Sequence, residues 1–265
     1  MARVFDFDRA IVREPAGSVV DGLRTGPAAP RHDRILAEHR AYVAALEAAG
    51  VAVEALAPLA EHPDSVFAED PAFVLAEGAI LLRPGAPSRL AEPATLAPAL
   101  NRHFAHVARV DDGFVDGGDI LVLPDEILIG LSGRTDAAGA KRFCELARGL
   151  GRHARIVETP TSLLHLKTGC ALIDECTMIA TPALAPLFSG YEVLIPPPGE
   201  AAAANLIRVN DRVLIGAAFP KTAALLAERG LDVVAIHASE IARIDAGLSC
   251  MSLRWLSGSG TPGRA

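Results

Sequence analysis

Three stretches of the chain repeat one alternation of apolar and polar positions. Residues 119–130 (DILVLPDEILIG), 170–180 (CALIDECTMIA) and 205–216 (NLIRVNDRVLIG) each run from a short apolar strand, through a turn rich in Asp, Asn or Pro, into a second apolar strand. That is the pattern of a hairpin. Residues 71–83 (PAFVLAEGAILLR) form a fourth copy. A fifth has to be closed by the two ends of the chain, with residues 10–13 (AIVR) lying beside residues 251–255 (MSLRW). Helix signals followed by another strand lie between the hairpins. Residues 32–49 place Ile35, Leu36, Val43 and Leu46 at helical spacing and stop at Gly50, after which residues 51–56 read as a strand. Asp136 caps a helix carrying Phe143, Leu146 and Leu150 that ends near Gly151, ahead of a strand at 154–157, and residues 221–229 stop at Gly230 before a strand at 233–236. The unit is strand, strand, helix, strand, and five of them imply a closed ring. The expected fold is α/β: a five-bladed α/β propeller of ββαβ modules around a pseudo-fivefold axis. One domain is expected over residues 1–256, with a disordered tail at 257–265.

A ring of modules brings equivalent positions together. Ahead of the first strand of successive hairpins stand residues 64–70 with three acids, then Asp116-Gly-Gly-Asp119, then His165, then Cys250. The copy at 205 is preceded only by four alanines. On this topology a thiol, an imidazole and carboxylates distant in sequence converge on one pocket.

Each residue alone has an ordinary reading. A free cysteine is most often a small buried hydrophobe. A histidine among leucines is commonly a hydrogen-bonded core residue, and Asp-Gly is a frequent turn. Their shared place at the module mouths favours chemistry: Cys250 as nucleophile, His165 as its proton carrier, and Asp116 as the carboxylate that orients His165. Asp64, Glu69 and Asp70 at the rim suit a cation. Arg83 and Arg134, each just past the second strand of its hairpin, suit a carboxylate. Acids for one end of a ligand and arginines for the other describe an amino acid with a cationic side chain. His103 and His106 are spaced to share a helix face as metal ligands, but no third ligand is nearby, and a solvated face is the simpler reading.

Composition narrows the classes. With 265 residues and 51% hydrophobic content, one substantial core is available. A net charge of -7 without a basic run argues against nucleic acid and anionic membranes. The first residues lack the pattern of a secretory signal and no apolar run reaches membrane-spanning length, so a cytoplasmic protein is expected. The four cysteines, at 144, 170, 176 and 250, fit neither a zinc site nor a disulfide scaffold.

Six ordered motifs then resemble one family: HPDSVFAED at 62–70, LRPGAPSR at 82–89, DGGD at 116–119, GLSGRT at 130–135, LHLKT at 164–168 and DAGLSC at 245–250. Together they are similar to dimethylarginine dimethylaminohydrolase, from about residue 10 to residue 255. The resemblance implies the five-bladed pentein fold of the guanidino-group-modifying enzymes. It also implies a catalytic Cys250, His165 as acid and base, and Asp116 as its orienting carboxylate. Asp64, Glu69 and Asp70 would grip the guanidinium and α-amino end, and Arg83 and Arg134 the α-carboxylate. Leu23 resembles the flap leucine that closes over substrate, and Ile244 the residue whose backbone touches the amino group. The substrate would be a methylated L-arginine, with no metal or organic cofactor. Ala68 and Ser249 depart from the more usual Val and Thr. An arginine deiminase, an amidinotransferase and a non-catalytic pentein-fold binding protein are the alternatives. The exposed blade edges either stay single or pair as a homodimer.

Overall fold

The computed structural model describes residues 2–258. The chain opens with β1 (Arg9–Arg13), α1 (His32–Ala48) and β2 (Ala52–Leu56), then continues with β3 (Ala72–Leu75), β4 (Gly78–Leu81), α2 (Glu92–His103) and β5 (Val107–Arg109). A further module holds β6 (Ile120–Val122), β7 (Ile127–Leu131), α3 (Ala137–Gly149) and β8 (Ala154–Glu158). Next come β9 (Cys170–Leu172), β10 (Thr177–Ala180) and β11 (Glu192–Leu194), then β12 (Ile207–Val209), β13 (Arg212–Gly216), α4 (Pro220–Ala227) and β14 (Asp232–Ile236). The last strand is β15 (Ser252–Trp255).

These strands make five three-stranded sheets of one design: an antiparallel hairpin whose second strand also pairs in parallel with a third. In the closing sheet β15 takes the place of the first strand. It runs antiparallel to β1 in the register Arg9↔Trp255 and Val12↔Ser252, while β1 pairs in parallel with β2. Chain closure therefore completes the ring as the apolar pattern requires. At the ends of α1, α3 and α4, Gly50, Gly151 and Gly230 all adopt positive φ, the left-handed conformation that lets the chain leave a helix and enter the third strand.

Apolar side chains from neighbouring blades fill the spaces between sheets. The rings of Phe73 and Phe143 meet edge-on at 5.1 Å where β3 packs towards α3.

Four local features differ from the sequence reading. The module of β9 to β11 has no α-helix; Pro182 and Pro186 interrupt any helical run, and a short 3-10 turn at Ala185–Phe188 crosses instead. The helix α2 was concealed because Pro93 and Pro98 disguise its period, although Pro93 falls in the first turn, where its missing N–H costs nothing. His106 lies beyond the end of α2, so the supposed face shared with His103 does not exist; His103 instead pairs with Glu54 at 2.6 Å and packs against Trp255. Ser257, placed in the tail by the sequence, donates its N–H to Asp8 at 2.6 Å, and residues 259–265 lie outside the described residues.

Candidate active site

All five inner strands, β15, β3, β6, β9 and β12, start from the same end of the ring. Short 3-10 turns stand before them: Leu248–Met251, Pro63–Val66, Gly117–Asp119, Leu166–Thr168 and Ala201–Ala204. Cys250 lies within the first of these, and Asp116 and His165 are the residues that open the third and fourth. A tight turn directly before a strand fixes the backbone on one side by the sheet and on the other by its own hydrogen bonds. The side chains at these mouths are thus held by rigid elements.

His165 Nε2 is 3.0 Å from Asp116 Oδ2, both residues being buried. Asp116 is itself fixed, its Oδ1 accepting from Gly85 N at 2.8 Å and its own N–H donating to Thr135 Oγ1. The imidazole rests on Gly118: a Cβ there would come within 2.5 Å of Nδ1, so only glycine leaves room for the ring. Burial lowers the His165 pKa, but the hydrogen bond to Asp116 and the charges of Asp70, Asp119 and Asp116 outweigh it and raise the value to about 9. At neutral pH the resting imidazole is therefore a cation.

Asp70 is the common neighbour. It accepts from Gly118 N at 3.1 Å and from the Arg89 guanidinium, and its charge acts on both His165 and Cys250. The Glu69 N–H donates to the Cys250 carbonyl at 3.1 Å, tying the nucleophile's turn to the acidic segment. Cys250 is 9% exposed. Burial, then the charges of Glu69 and Asp70, push its thiol up to about 12. Cys250 at rest is consequently a thiol. Donor atoms of Asp70, Asp116 and His165 all fall within 4.8 Å of one another, the charge of the two carboxylates being shared with Arg89 and with the His165 imidazolium.

The remaining acids are positioned differently. Asp64 Oδ1 accepts from Leu23 N at 2.9 Å. Its carboxylate also lies against Gly22, and so does Ile244, which brings Leu23, Asp64 and Ile244 to one place. The segment that carries Leu23, 40% exposed, is fastened on its other side where Thr25 N and Oγ1 meet Asp245 at 2.6 and 3.0 Å. Glu69 Oε1 takes both Lys167 Nζ at 2.7 Å and Arg254 Nη2 at 3.3 Å, while Oε2 is buried without a partner. Arg83 is turned towards Phe114, its guanidinium 4.6 Å from the ring centroid and donating to the Gly113 carbonyl. Arg134 forms no ion pair among the described residues; its backbone abuts Gly85, next to the loop that carries Arg83.

Several residues of this cluster escaped the sequence reading. Arg89 donates to Asp70, to Glu92 and to the Phe67 carbonyl, with its own side chain and both carboxylates buried. Asp119 collects Ser132 Oγ, Thr135 Oγ1 and the Leu166 N–H at 2.7 to 2.8 Å, so it joins the Asp116 turn to the His165 turn. Lys167 and Arg254 hold Glu69. Both arginines lie in stretches where a charged residue suggests surface; the one available signal was that Arg89 sits inside the LRPGAPSR motif.

The family model for N,N dimethylarginine dimethylhydrolase, eukaryotic, matches residues 28–165. The N(G),N(G)-dimethylarginine dimethylaminohydrolase of Pseudomonas aeruginosa is 37% identical over 254 residues, covering 94% of this chain and all of its own, and that of Streptomyces coelicolor is 36% identical over 93% of this chain and 96% of its own. A solved structure of the Pseudomonas aeruginosa protein, a cysteine-to-serine mutant complexed with citrulline, superposes with a TM-score of 0.91 at 36% identity over 94% of this chain and 100% of that one. With relatives matched end to end and the pentein ring reproduced, the chain belongs to the dimethylarginine dimethylaminohydrolase family.

Proposed function

We propose that this protein hydrolyses Nω-methylated L-arginine, releasing L-citrulline and dimethylamine or methylamine. The observation that carries the reading is the common position of Asp70 beside both Cys250 and His165, with Asp116 hydrogen-bonded to the imidazole at 3.0 Å.

A guanidinium is a resonance-stabilised, poor electrophile, and attack on its central carbon requires a soft, strong nucleophile. Lowering the Cys250 thiol from about 12 to neutrality takes roughly 7 kcal/mol, more than one hydrogen bond supplies. The causes of that raised value indicate the remedy. Besides burial, they are the charges of Glu69 and Asp70, the groups on which a guanidinium would dock. A bound cation offsets both charges and adds its own attraction for a thiolate, so the substrate ionises its nucleophile and the thiol proton passes to solvent.

Cys250 Sγ then bonds to the guanidinium carbon. His165, already an imidazolium, protonates the methylated nitrogen, and the amine departs as the C–N bond breaks. The S-alkylthiouronium left on Cys250 is attacked by water, from which the now neutral His165 takes a proton. The C–S bond breaks, citrulline leaves, and the two catalytic groups regain their protons. Asp116 keeps the imidazole aligned in both halves. Asp64 and the flap carrying Leu23, fastened to one another, close over the amino-acid end together with Ile244. Arg83 and Arg134 receive the α-carboxylate, the one by swinging from Phe114 and the other already unpaired. The reaction needs no metal or organic cofactor, and a cytoplasmic location suits both a reactive thiol and a small soluble substrate.

The test is release of citrulline and dimethylamine from asymmetric dimethylarginine, beside monomethylarginine and arginine, each with and without an acceptor amine. Turnover of arginine alone would make the protein a deiminase, and acceptor-dependent product a transferase. A Cys250→Ser variant is expected to lose turnover by ~1000-fold or more while keeping its fold. Near-normal turnover in that variant would refute the covalent route.

A further inference from the structure

The module of β12 to β14 brings no acid, base or nucleophile to the shared mouth of the ring. Its turn, Ala201–Ala204, is made of four alanines, of which Ala203 and Ala204 are buried. The residue that closes this turn, Asn205, is half-buried, and its side chain bonds to the neighbouring blade rather than to its own. The carboxamide Oδ1 accepts from Ser249 Oγ at 2.9 Å and, more loosely, from the Ser249 N–H at 3.4 Å.

The approach is closer still at Gly247. A Cβ on that residue would stand 2.4 Å from Asn205 Cγ, 2.5 Å from Oδ1 and 2.7 Å from Nδ2, so the carboxamide occupies the space a side chain would need. Gly247 has φ -127° and ψ -172°, extended backbone open to any residue, so the requirement for glycine comes from Asn205 and not from the backbone. The turn that carries Cys250 is weakly held from within, the Cys250 N–H reaching the Gly247 carbonyl at 3.3 Å. From outside it is held at successive groups: Ser249 N and Oγ by Asn205, the Ser249 carbonyl by Arg254 Nη1 at 3.2 Å, and the Cys250 carbonyl by the Glu69 N–H at 3.1 Å. Ser249 Oγ is 3.9 Å from Cys250 Sγ, so a displacement of Ser249 carries to the sulfur.

We propose that Asn205 is this module's contribution to the site, a positioning residue that fixes the Cys250 turn by accepting from Ser249 and filling the space beside Gly247. It acts through the backbone that aims the sulfur at the guanidinium carbon, and not on the substrate. This role rests on Cys250 being the nucleophile of the proposed reaction. Attack on a planar carbon tolerates little misalignment, and a shift of about 1 Å costs on the order of 100-fold in rate. Loss of one neutral hydrogen bond costs about tenfold.

With asymmetric dimethylarginine as substrate of the full-length protein, Asn205→Ala should lower kcat about tenfold and leave KM within about threefold, because the residues that grip the ligand are untouched. Alkylation of Cys250 by a haloacetamidine should slow by the same factor. Gly247→Ala should lower both rates by ~100-fold, because its Cβ drives the carboxamide and the turn apart. Adding Asn205→Ala to Gly247→Ala should restore both rates about tenfold, to the level of Asn205→Ala by itself. A merely structural role of Asn205 predicts no such recovery. Gly247→Ala equally damaging in both backgrounds, a normal kcat in Asn205→Ala, or a loss confined to KM would each overturn the positioning role. A wild type that is alkylated at Cys250 yet releases no citrulline would overturn the proposed function instead, and the ratios of alkylation rates among the variants would still decide the role of Asn205.

Discussion

Replacing Asp116 with Asn tests the electrostatic basis of the site with almost no change of shape. The His165 imidazolium titrates at about 9 against an ordinary 6.5, a preference for the charged form of roughly 3 kcal/mol. Burial acts the other way, so the carboxylates together contribute more than that net amount, and Asp116 supplies the only direct hydrogen bond to the ring among them. The carboxamide can still accept from Gly85 N but carries no charge. The His165 titration should fall by about 1–2 pH units, the amount one adjacent opposite charge contributes. A histidine whose folded pKa lies above its unfolded value adds stability that is fully present below 6.5 and lost as pH rises through about 9. The wild type should therefore lose roughly 3 kcal/mol of this contribution between those pH values, and Asp116→Asn appreciably less. Imidazole NMR on the resting protein gives the titration directly, and urea unfolding at pH 6 and pH 9.5 gives the linked stability. Citrulline release should fall by about 100-fold, with the alkaline limb of the pH profile displaced to lower pH because the proton donor is lost earlier. A variant imidazole still titrating near 9, with an unchanged pH slope of stability, would show that Asp116 is not what holds the charge.

Arg89→Met should destabilise the fold by about 3–5 kcal/mol, because Asp70 and Glu92 are left as buried carboxylates without their cation; a change below about 1 kcal/mol in urea unfolding would rule that out. Gly118→Ala should cut turnover by ~100-fold through displacement of the His165 ring, whereas Gly17→Ala, where nothing lies within 4 Å, should leave it intact. Mass spectrometry of labelled cysteines should find that neutral iodoacetamide reaches exposed Cys176 before Cys250 and that a cationic haloacetamidine reverses the order, since only the cation offsets Glu69 and Asp70. Equal preference with both reagents would contradict ionisation of Cys250 by a bound cation.

The architecture was written in the chain because it rests on local rules. Alternation over a few residues, turn-forming Asp and Asn, and glycines after helices recur in register, and repetition of one unit leaves a closed ring as the way to cover every blade. The mouths of the hairpins named Cys250, His165 and Asp116 for the same reason, since a position ahead of an inner strand is defined by the strand itself. What local rules do not contain is which charges meet. Arg89 reaches Asp70 across 19 residues, Asp116 reaches His165 across 49, and Arg254 reaches Glu69 across 185. Those distances exist only after the ring has closed. The charge on His165, the thiol state of Cys250 and the turn of Arg83 towards Phe114 all follow from such meetings. Burial sets their magnitude, because a carboxylate weak in water becomes decisive once solvent is excluded. Composition and spacing carry no record of that exclusion, so sequence supplied the candidates and tertiary packing assigned their charges.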